Sequence, residues 1–102
     1  MQKIGTASSF PPGSLTELNL NGLNLLMINQ EGEFYLVENK CGHFGVPLAD
    51  AEVAGSGITC SQHGIRFSMI TGEVLNRKYE KCDKLKTFKV IQQDDELFIS
   101  DI

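Results

Sequence analysis

The sequence predicts an all-β fold. Both ends of the chain would form a small antiparallel β sandwich or barrel base, with a loop-rich lobe inserted between them. Two observations support this. Short segments alternate apolar and polar side chains with the period of two expected of strands, and tight-turn dipeptides separate these segments. No helical period persists for more than a turn or two. With 102 residues the chain has room for one domain, residues 1–102.

Three strands are predicted in the N-terminal part of the chain. LTELNL, residues 15–20, alternates apolar and polar side chains, and the Asn-Gly pair at 21–22 is the favoured dipeptide for a two-residue hairpin turn. Residues 23–29 return as the partner strand. The Glu-Gly pair at 31–32 predicts a second turn, after which FYLVE, residues 34–38, forms a third strand.

Two more strands are predicted near the C-terminus. TFKVIQ, residues 87–92, alternates well, and an acidic turn at 94–95 leads into ELFIS. We therefore assign the base of the fold to residues 1–39 and 79–102, so that both ends of the chain contribute strands to it.

The inserted lobe, residues 40–78, has a different composition. It holds six of the ten glycines, both histidines and two of the three cysteines. A lobe this short and glycine-rich is expected to bury little apolar surface, and a metal site would supply the stabilisation that it lacks.

The metal-ligand pattern in this lobe is Cys41-x-His43, sixteen further residues, and then Cys60-x-x-His63. Two thiolates and two imidazoles suit either zinc or an iron–sulfur centre, and their spacing alone does not choose between them. An odd number of cysteines argues against a disulfide framework.

Charge and hydropathy exclude several classes of partner. The net charge of −4 argues against nucleic acid and against an anionic membrane surface. The longest apolar run, LNLLMI, is too short to span a bilayer, and the first residues contain no apolar signal core. We therefore expect a cytoplasmic protein.

The residues around the four candidate ligands resemble the Rieske iron–sulfur family. That family has a first loop C-x-H-x-G-x-P-L, a second loop C-x-x-H-G-x-x-F, and then T-G-E. The resemblance is closest to the small ferredoxins that serve bacterial ring-hydroxylating oxygenases. The matching residues here are Cys41, His43, Gly45, Pro47, Leu48, Cys60, His63, Gly64, Phe67, Thr71, Gly72 and Glu73.

The resemblance implies one [2Fe–2S] cluster per chain in a Rieske-like fold. Cys41 and Cys60 would bind one iron, and His43 and His63 would bind the other. Neutral imidazoles in place of two thiolates remove negative charge, which places the potential at roughly −150 to +300 mV. The implied role is that of a monomeric electron carrier with no catalytic residues, which contacts a flavoprotein reductase and a terminal oxygenase transiently.

Some residues depart from the pattern of high-potential members of the family. Val46 and Gln62 stand where those members have a disulfide, and Ile65 and Phe67 stand where they have hydroxyl donors to sulfur. Fewer donors predict a potential at the low end of the range. The loop after Leu75 also lacks the proline that is usual in a loop that covers the cluster.

Other interpretations of the chain stay open on the sequence. The chain could be the small Rieske-like subunit of an assimilatory nitrite reductase, a zinc-stapled interaction module, or a stand-alone Rieske protein with an unknown redox partner.

Several single residues outside the ligand set are also interpreted from the sequence. Cys82 is interpreted as a packing residue. Phe44 and Ile65 are either loop packing or the centre of a docking patch. A basic cluster is either a solvated face or a steering surface for an acidic partner; it comprises Arg77, Lys78, Lys81, Lys84, Lys86 and Lys89.

Overall fold

The computed structural model describes residues 2–40, 51–60, 64–76 and 84–99. In these ranges the chain forms ten strands, all paired antiparallel, and one 3-10 helix, Ala7–Ser9, so the predicted all-β class is confirmed. No helix in the described ranges is long and apolar enough to cross a membrane. The strands are β1 (Gln2–Thr6), β2 (Leu15–Leu20), β3 (Leu23–Gln30), β4 (Glu33–Glu38), β5 (Glu52–Ala54), β6 (Gly57–Thr59), β7 (Arg66–Ser68), β8 (Thr87–Phe88), β9 (Val90–Gln93) and β10 (Glu96–Ile99).

The central sheet has the strand order β2-β3-β4-β8 and contains both predicted N-terminal hairpins. Its two turns carry positive φ angles, 52° and 81° at Asn21 and Gly22, and 54° and 92° at Glu31 and Gly32. Two consecutive left-handed residues match the right-handed twist of the flanking strands, which is why two-residue turns of this kind connect them.

Strand β3 is buried on both faces. Leu26 and Ile28 belong to one core cluster, whereas Leu25 and Met27 belong to a second cluster on the opposite face. Because successive side chains of a strand point to opposite faces, the uninterrupted apolar run of β3 supplies both cores.

A second sheet, β1-β10-β9, covers one face of the central sheet. The second core cluster joins Leu97 and Ile99 of this sheet to Leu25, Met27 and Leu36 of the central one. The predicted strand segment at 87–92 is divided between two sheets. The chain leaves the central sheet after β8 and enters the second sheet as β9, so Lys89 belongs to neither ladder.

The third sheet, β5-β6-β7, lies within the predicted lobe. Its fully buried residues Ile58 and Phe67 pack in the first core cluster with Leu26, Ile28 and Val37 of the central sheet. The expectation that the lobe buries little apolar surface was therefore wrong for the part that the structure describes, because that part shares the core of the base. The division of the chain at residues 40 and 78 stays a prediction.

Candidate metal centre

Cys60 is the predicted ligand that the structure describes. It directly follows β6, and its side chain is 1% exposed within the first core cluster. The other three predicted ligands, Cys41, His43 and His63, lie outside the described residues, so their assignment stays a prediction. The residues singled out at Phe44, Val46, Gln62, Arg77, Lys78, Lys81 and Cys82 also lie outside them.

Main-chain hydrogen bonds fix both ends of the loop that starts at Cys60. The Cys60 N–H donates to the carbonyl of Ile65 at 2.8 Å, and the Gly64 N–H donates to the carbonyl of Cys60 at 2.9 Å. Gly64 has a φ of 67°, a left-handed conformation that L residues with a Cβ rarely adopt. The glycine of the motif therefore lets the chain turn back toward Cys60 directly after His63.

Asn76 holds the same loop from a separate segment, and the sequence analysis did not identify it. Its side-chain oxygen accepts a hydrogen bond from the Arg66 N–H, and its amide donates to the carbonyl of Gly64 at 3.4 Å. The neighbouring N–H of Leu75 donates to the carbonyl of Arg66 at 2.7 Å. Asn76 could have been found only from the general preference of asparagine for turns, which does not reveal a partner.

The T-G-E segment, residues 71–73, belongs to a hydrogen-bonded turn that follows β7. The Ser68 N–H donates to the carbonyl of Glu73 at 2.9 Å, and the Gly72 N–H donates to the carbonyl of Ser68 at 2.8 Å. The Ser68 hydroxyl also accepts from the main-chain N–H groups of Ile70 and Thr71, each at 3.2 Å. The role of this motif in the described structure is to shape the backbone after β7.

Arg66 links the three strands of the third sheet. Its guanidinium donates to the carbonyl of Ala54 at 2.8 Å and contacts the hydroxyl of Thr59 at 3.5 Å. It lies against Gly57, where a Cβ would occupy the space of the guanidinium. Because Thr59 precedes Cys60, these contacts help to fix the strand that presents the thiol.

The donor set fits an iron–sulfur centre with mixed ligands. Cysteine thiolate and histidine imidazole are the two ligand types that such a centre needs, and the two motifs together contain two of each. The described shell around Cys60 is apolar, because Ile65 and Phe67 are fully buried in the same cluster. Neither side chain carries a hydroxyl that could donate to sulfur.

Comparison with known proteins gives the same type of centre. A protein-family model described as "Rieske [2Fe-2S] domain" matches residues 1–89. A relative in Ralstonia sp, "Naphthalene 1,2-dioxygenase/salicylate 5-hydroxylase systems, ferredoxin component", is 31% identical over 80 residues, which cover 78% of this chain and 75% of the relative.

Two further similarities differ in how much of the other protein they cover. Human "Apoptosis-inducing factor 3" is 26% identical over 87 residues, but the match spans 14% of the length of that protein. A solved complex of reduced oxygenase and oxidized ferredoxin in carbazole 1,9a-dioxygenase contains a chain that matches with a TM-score of 0.81 and 25% identity. That match covers 96% of this chain and 99% of the other.

Proposed function

The chain belongs to the Rieske [2Fe–2S] domain family, and from that premise we propose that it is a one-electron carrier between a flavoprotein reductase and a terminal oxygenase. The observation that carries the proposal is the 31% identity to a dioxygenase-system ferredoxin component over most of both chains. The similarity to a chain in a complex of oxygenase and ferredoxin supports an oxygenase as one partner.

Four side chains of this protein would hold the cluster. Cys41 and Cys60 would bind one iron, and His43 and His63 the other. When bound, the [2Fe–2S] cluster accepts and releases one electron at a time. Cys60 would bind its iron from an apolar environment, because only 1% of the residue is exposed. The hydrogen bonds between Cys60, Gly64 and Ile65 would hold the His63 loop near this thiolate.

The same assignment favours a carrier over an oxygenase. Terminal oxygenation needs a mononuclear iron held by two histidines and a carboxylate. The chain has two histidines, and the cluster would use both. We therefore propose a non-catalytic component that binds its partners transiently as a monomer. Two cysteines with proposed thiolate roles, in a chain whose odd number of cysteines argues against a disulfide framework, suit the reducing cytoplasm.

The experiment that tests the proposed centre is electron paramagnetic resonance of the purified protein after reduction with dithionite, with assays for iron, sulfide and zinc. We expect a rhombic signal whose average g lies below that of a ferredoxin with four cysteine ligands. A colourless, zinc-loaded protein that cannot be reconstituted with iron and sulfide would support the zinc-stapled module instead.

The carrier role needs a separate measurement. In stopped-flow mixing, a flavoprotein ferredoxin reductase should reduce the cluster, and a reduced sample should be reoxidised by a terminal oxygenase in the presence of its substrate. Co-purification with a large sirohaem subunit, together with no electron transfer to any oxygenase, would favour the nitrite reductase subunit. The matched control is the Cys60→Ser variant, which should neither take up nor deliver electrons.

A further inference from the structure

An apolar groove of about 460 Å³ opens beside strand β8. Pockets that receive a compact ligand or side chains range from about 300 to 1,000 Å³, so this groove has room for a group of that size. Aromatic and aliphatic side chains form most of its walls, with the two hydroxyls of Tyr35 and Thr87 and one ammonium group. The lining residues, here called the β8 groove, are Phe34, Tyr35, Met69, Ile70, Thr87, Phe88, Lys89 and Val90.

The β8 groove follows from the strand arrangement. Strand β8 pairs with β4 only at Phe88 opposite Leu36 and at Thr87 opposite Val37. The chain then crosses at Lys89 to the second sheet, so β8 does not continue alongside Phe34 and Tyr35. The two strands separate at that point, and the space between them is the groove. The groove therefore follows from where the pairing of β4 with β8 ends.

An exposed isoleucine stands at the edge of this groove. Ile70 is 64% exposed, which is unusual for a large apolar side chain in the described part of the protein. Its backbone is held on both sides: its N–H donates to the Ser68 hydroxyl at 3.2 Å, and its carbonyl accepts from the Thr87 hydroxyl at 3.3 Å. An apolar side chain on a fixed backbone is suited to contact a partner, because little conformational entropy is lost on binding.

The charge around the groove is positive, although the protein as a whole is negative. Lys89 lines the groove, the Lys86 ammonium lies 5.7 Å from the centroid of the Phe88 ring, and none of the described lining residues is acidic. The ion pairs within the described ranges, Lys3–Glu96 and Lys40–Glu38, involve neither lysine. Within the described part of the chain, residues 84–89 carry three lysines and no acidic residue.

We propose that the β8 groove is a docking surface for an acidic protein partner, which inserts an apolar side chain between β4 and β8 beside Ile70. A positive rim around an apolar centre complements a negative surface with an apolar anchor. A small molecule inside the groove would leave the exposed Ile70 and the Lys86 ammonium largely uncovered, whereas a protein surface covers both. The groove lies between β4, β8 and the segment after β7, and the proposal does not depend on which metal the four ligands bind.

The test uses the nitrogen-15-labelled full chain and a synthetic peptide with one phenylalanine flanked on both sides by glutamates. Titration followed by NMR should move the amide signals of Tyr35, Ile70 and Phe88, and the Kd should rise by about tenfold or more between low salt and about 0.5 M salt. A peptide with serine in place of phenylalanine should bind much more weakly.

Matched variants assign the binding to this groove. Ile70→Ser and Lys89→Gln should each raise the Kd by about fivefold or more. Leu75→Ser, at another exposed apolar residue (51% exposed), and Lys3→Gln, in the second sheet, should leave it unchanged within about twofold.

Four outcomes would overturn the proposal. The first is the absence of saturable shifts at millimolar peptide, and the second is an equal effect of the groove and control variants. The third is displacement of the peptide by benzoate at equal concentration, which would make the groove a small-acid site. The fourth is concentration-dependent dimerisation that Ile70→Ser abolishes, which would make the occupant a second copy of the chain.

Discussion

Leu85 and Gly72 approach so closely that only glycine fits at position 72. The Leu85 N–H donates to the carbonyl of Gly72 at 2.8 Å, and the Leu85 carbonyl oxygen lies where a Cβ on residue 72 would stand. Gly72 also has a φ of 81°. Because the Leu85 side chain is buried in the first core cluster, this contact ties the turn after β7 to the residues that lead into β8.

Replacing Gly72 by alanine should therefore destabilise the protein strongly. The new methyl group would collide with a main-chain oxygen, which cannot move without breaking the hydrogen bond from Leu85. We expect Gly72→Ala to lower the free energy of unfolding by about 3 kcal/mol or more, measured by urea denaturation. The matched control is Gly57→Ala, where the obstacle is the flexible guanidinium of Arg66 and the loss should stay below about 1.5 kcal/mol. Equal losses in the two variants would contradict this account of the contact.

Removing the Asn76 side chain should loosen the loop that contains His63. Asn76→Ala leaves the Arg66 N–H without its acceptor and the Gly64 carbonyl without a donor. We expect a loss of about 1–3 kcal/mol in unfolding free energy and faster loss of iron to a chelator. Gln92→Ala is the control, because Gln92 makes a comparable exposed hydrogen bond, to the carbonyl of Asp94 at 3.1 Å, in the second sheet. Iron loss at the same rate in both variants would show that Asn76 does not restrain the loop.

Two neighbouring polar residues should respond oppositely to alanine. Asn29 is 4% exposed; its amide donates to the carbonyl of Phe10 at 2.6 Å, and its side-chain oxygen accepts from the Gly32 N–H at 2.8 Å. Asn29→Ala should cost about 2–3 kcal/mol, because it leaves both main-chain groups without partners. The buried hydroxyl of Ser14 has no hydrogen-bond partner among the described residues, so Ser14→Ala should change stability little or raise it by up to about 1 kcal/mol. A large loss in Ser14→Ala, measured in the same urea titrations, would mean that this hydroxyl is satisfied.

The strands that the sequence predicted correctly are those whose neighbouring turns are determined by the residues in the turns themselves. The turns after β2 and β3 need left-handed residues, and the pairs Asn21-Gly22 and Glu31-Gly32 supply them. The crossing at Lys89 could not be predicted, because both sheets need the same alternation of side chains. Strand β1 pairs with β10, ninety or more residues away, and the sequence of β1 alone does not identify this partner. The three residues of each strand β5–β7 are too few to establish a period.

The candidate site likewise has features that the sequence suggests and contacts that it does not. The sequence suggests the four ligands, because cysteine and histidine are common metal ligands and their spacing is visible in it; their assignment stays a prediction. Asn76 and the contact between Gly72 and Leu85 could not be predicted, because their roles depend on main-chain groups that only the folded chain brings near. An asparagine or a leucine in the sequence says nothing about which carbonyl it will meet.

Loss of either histidine should destroy the mixed-ligand centre. His43→Ala and His63→Ala each remove one of two imidazoles from the proposed iron, so the rhombic signal of the reduced protein should disappear. Cys82→Ser is the control, because Cys82 has no ligand role in the proposed set and its variant should keep the cluster and nearly the same potential. A normal spectrum in either histidine variant would reject the ligand assignment, and cluster loss in Cys82→Ser would show that this cysteine is needed.

The reduction potential should lie toward the low end of the family range, closer to about −150 mV than to about +300 mV. Ile65 and Phe67 are fully buried beside Cys60 and offer no hydroxyl to a sulfur, and such hydrogen bonds stabilise the reduced, more negative state. The pair Ile65→Ser and Ile65→Ala tests this cause directly, because both variants leave a similar cavity but only serine adds a donor. Protein-film voltammetry should give Ile65→Ser the more positive potential by tens of millivolts, on the order of the effect of one added hydrogen bond. Equal potentials in the two variants would mean that hydroxyl donors at position 65 do not set the potential of this protein.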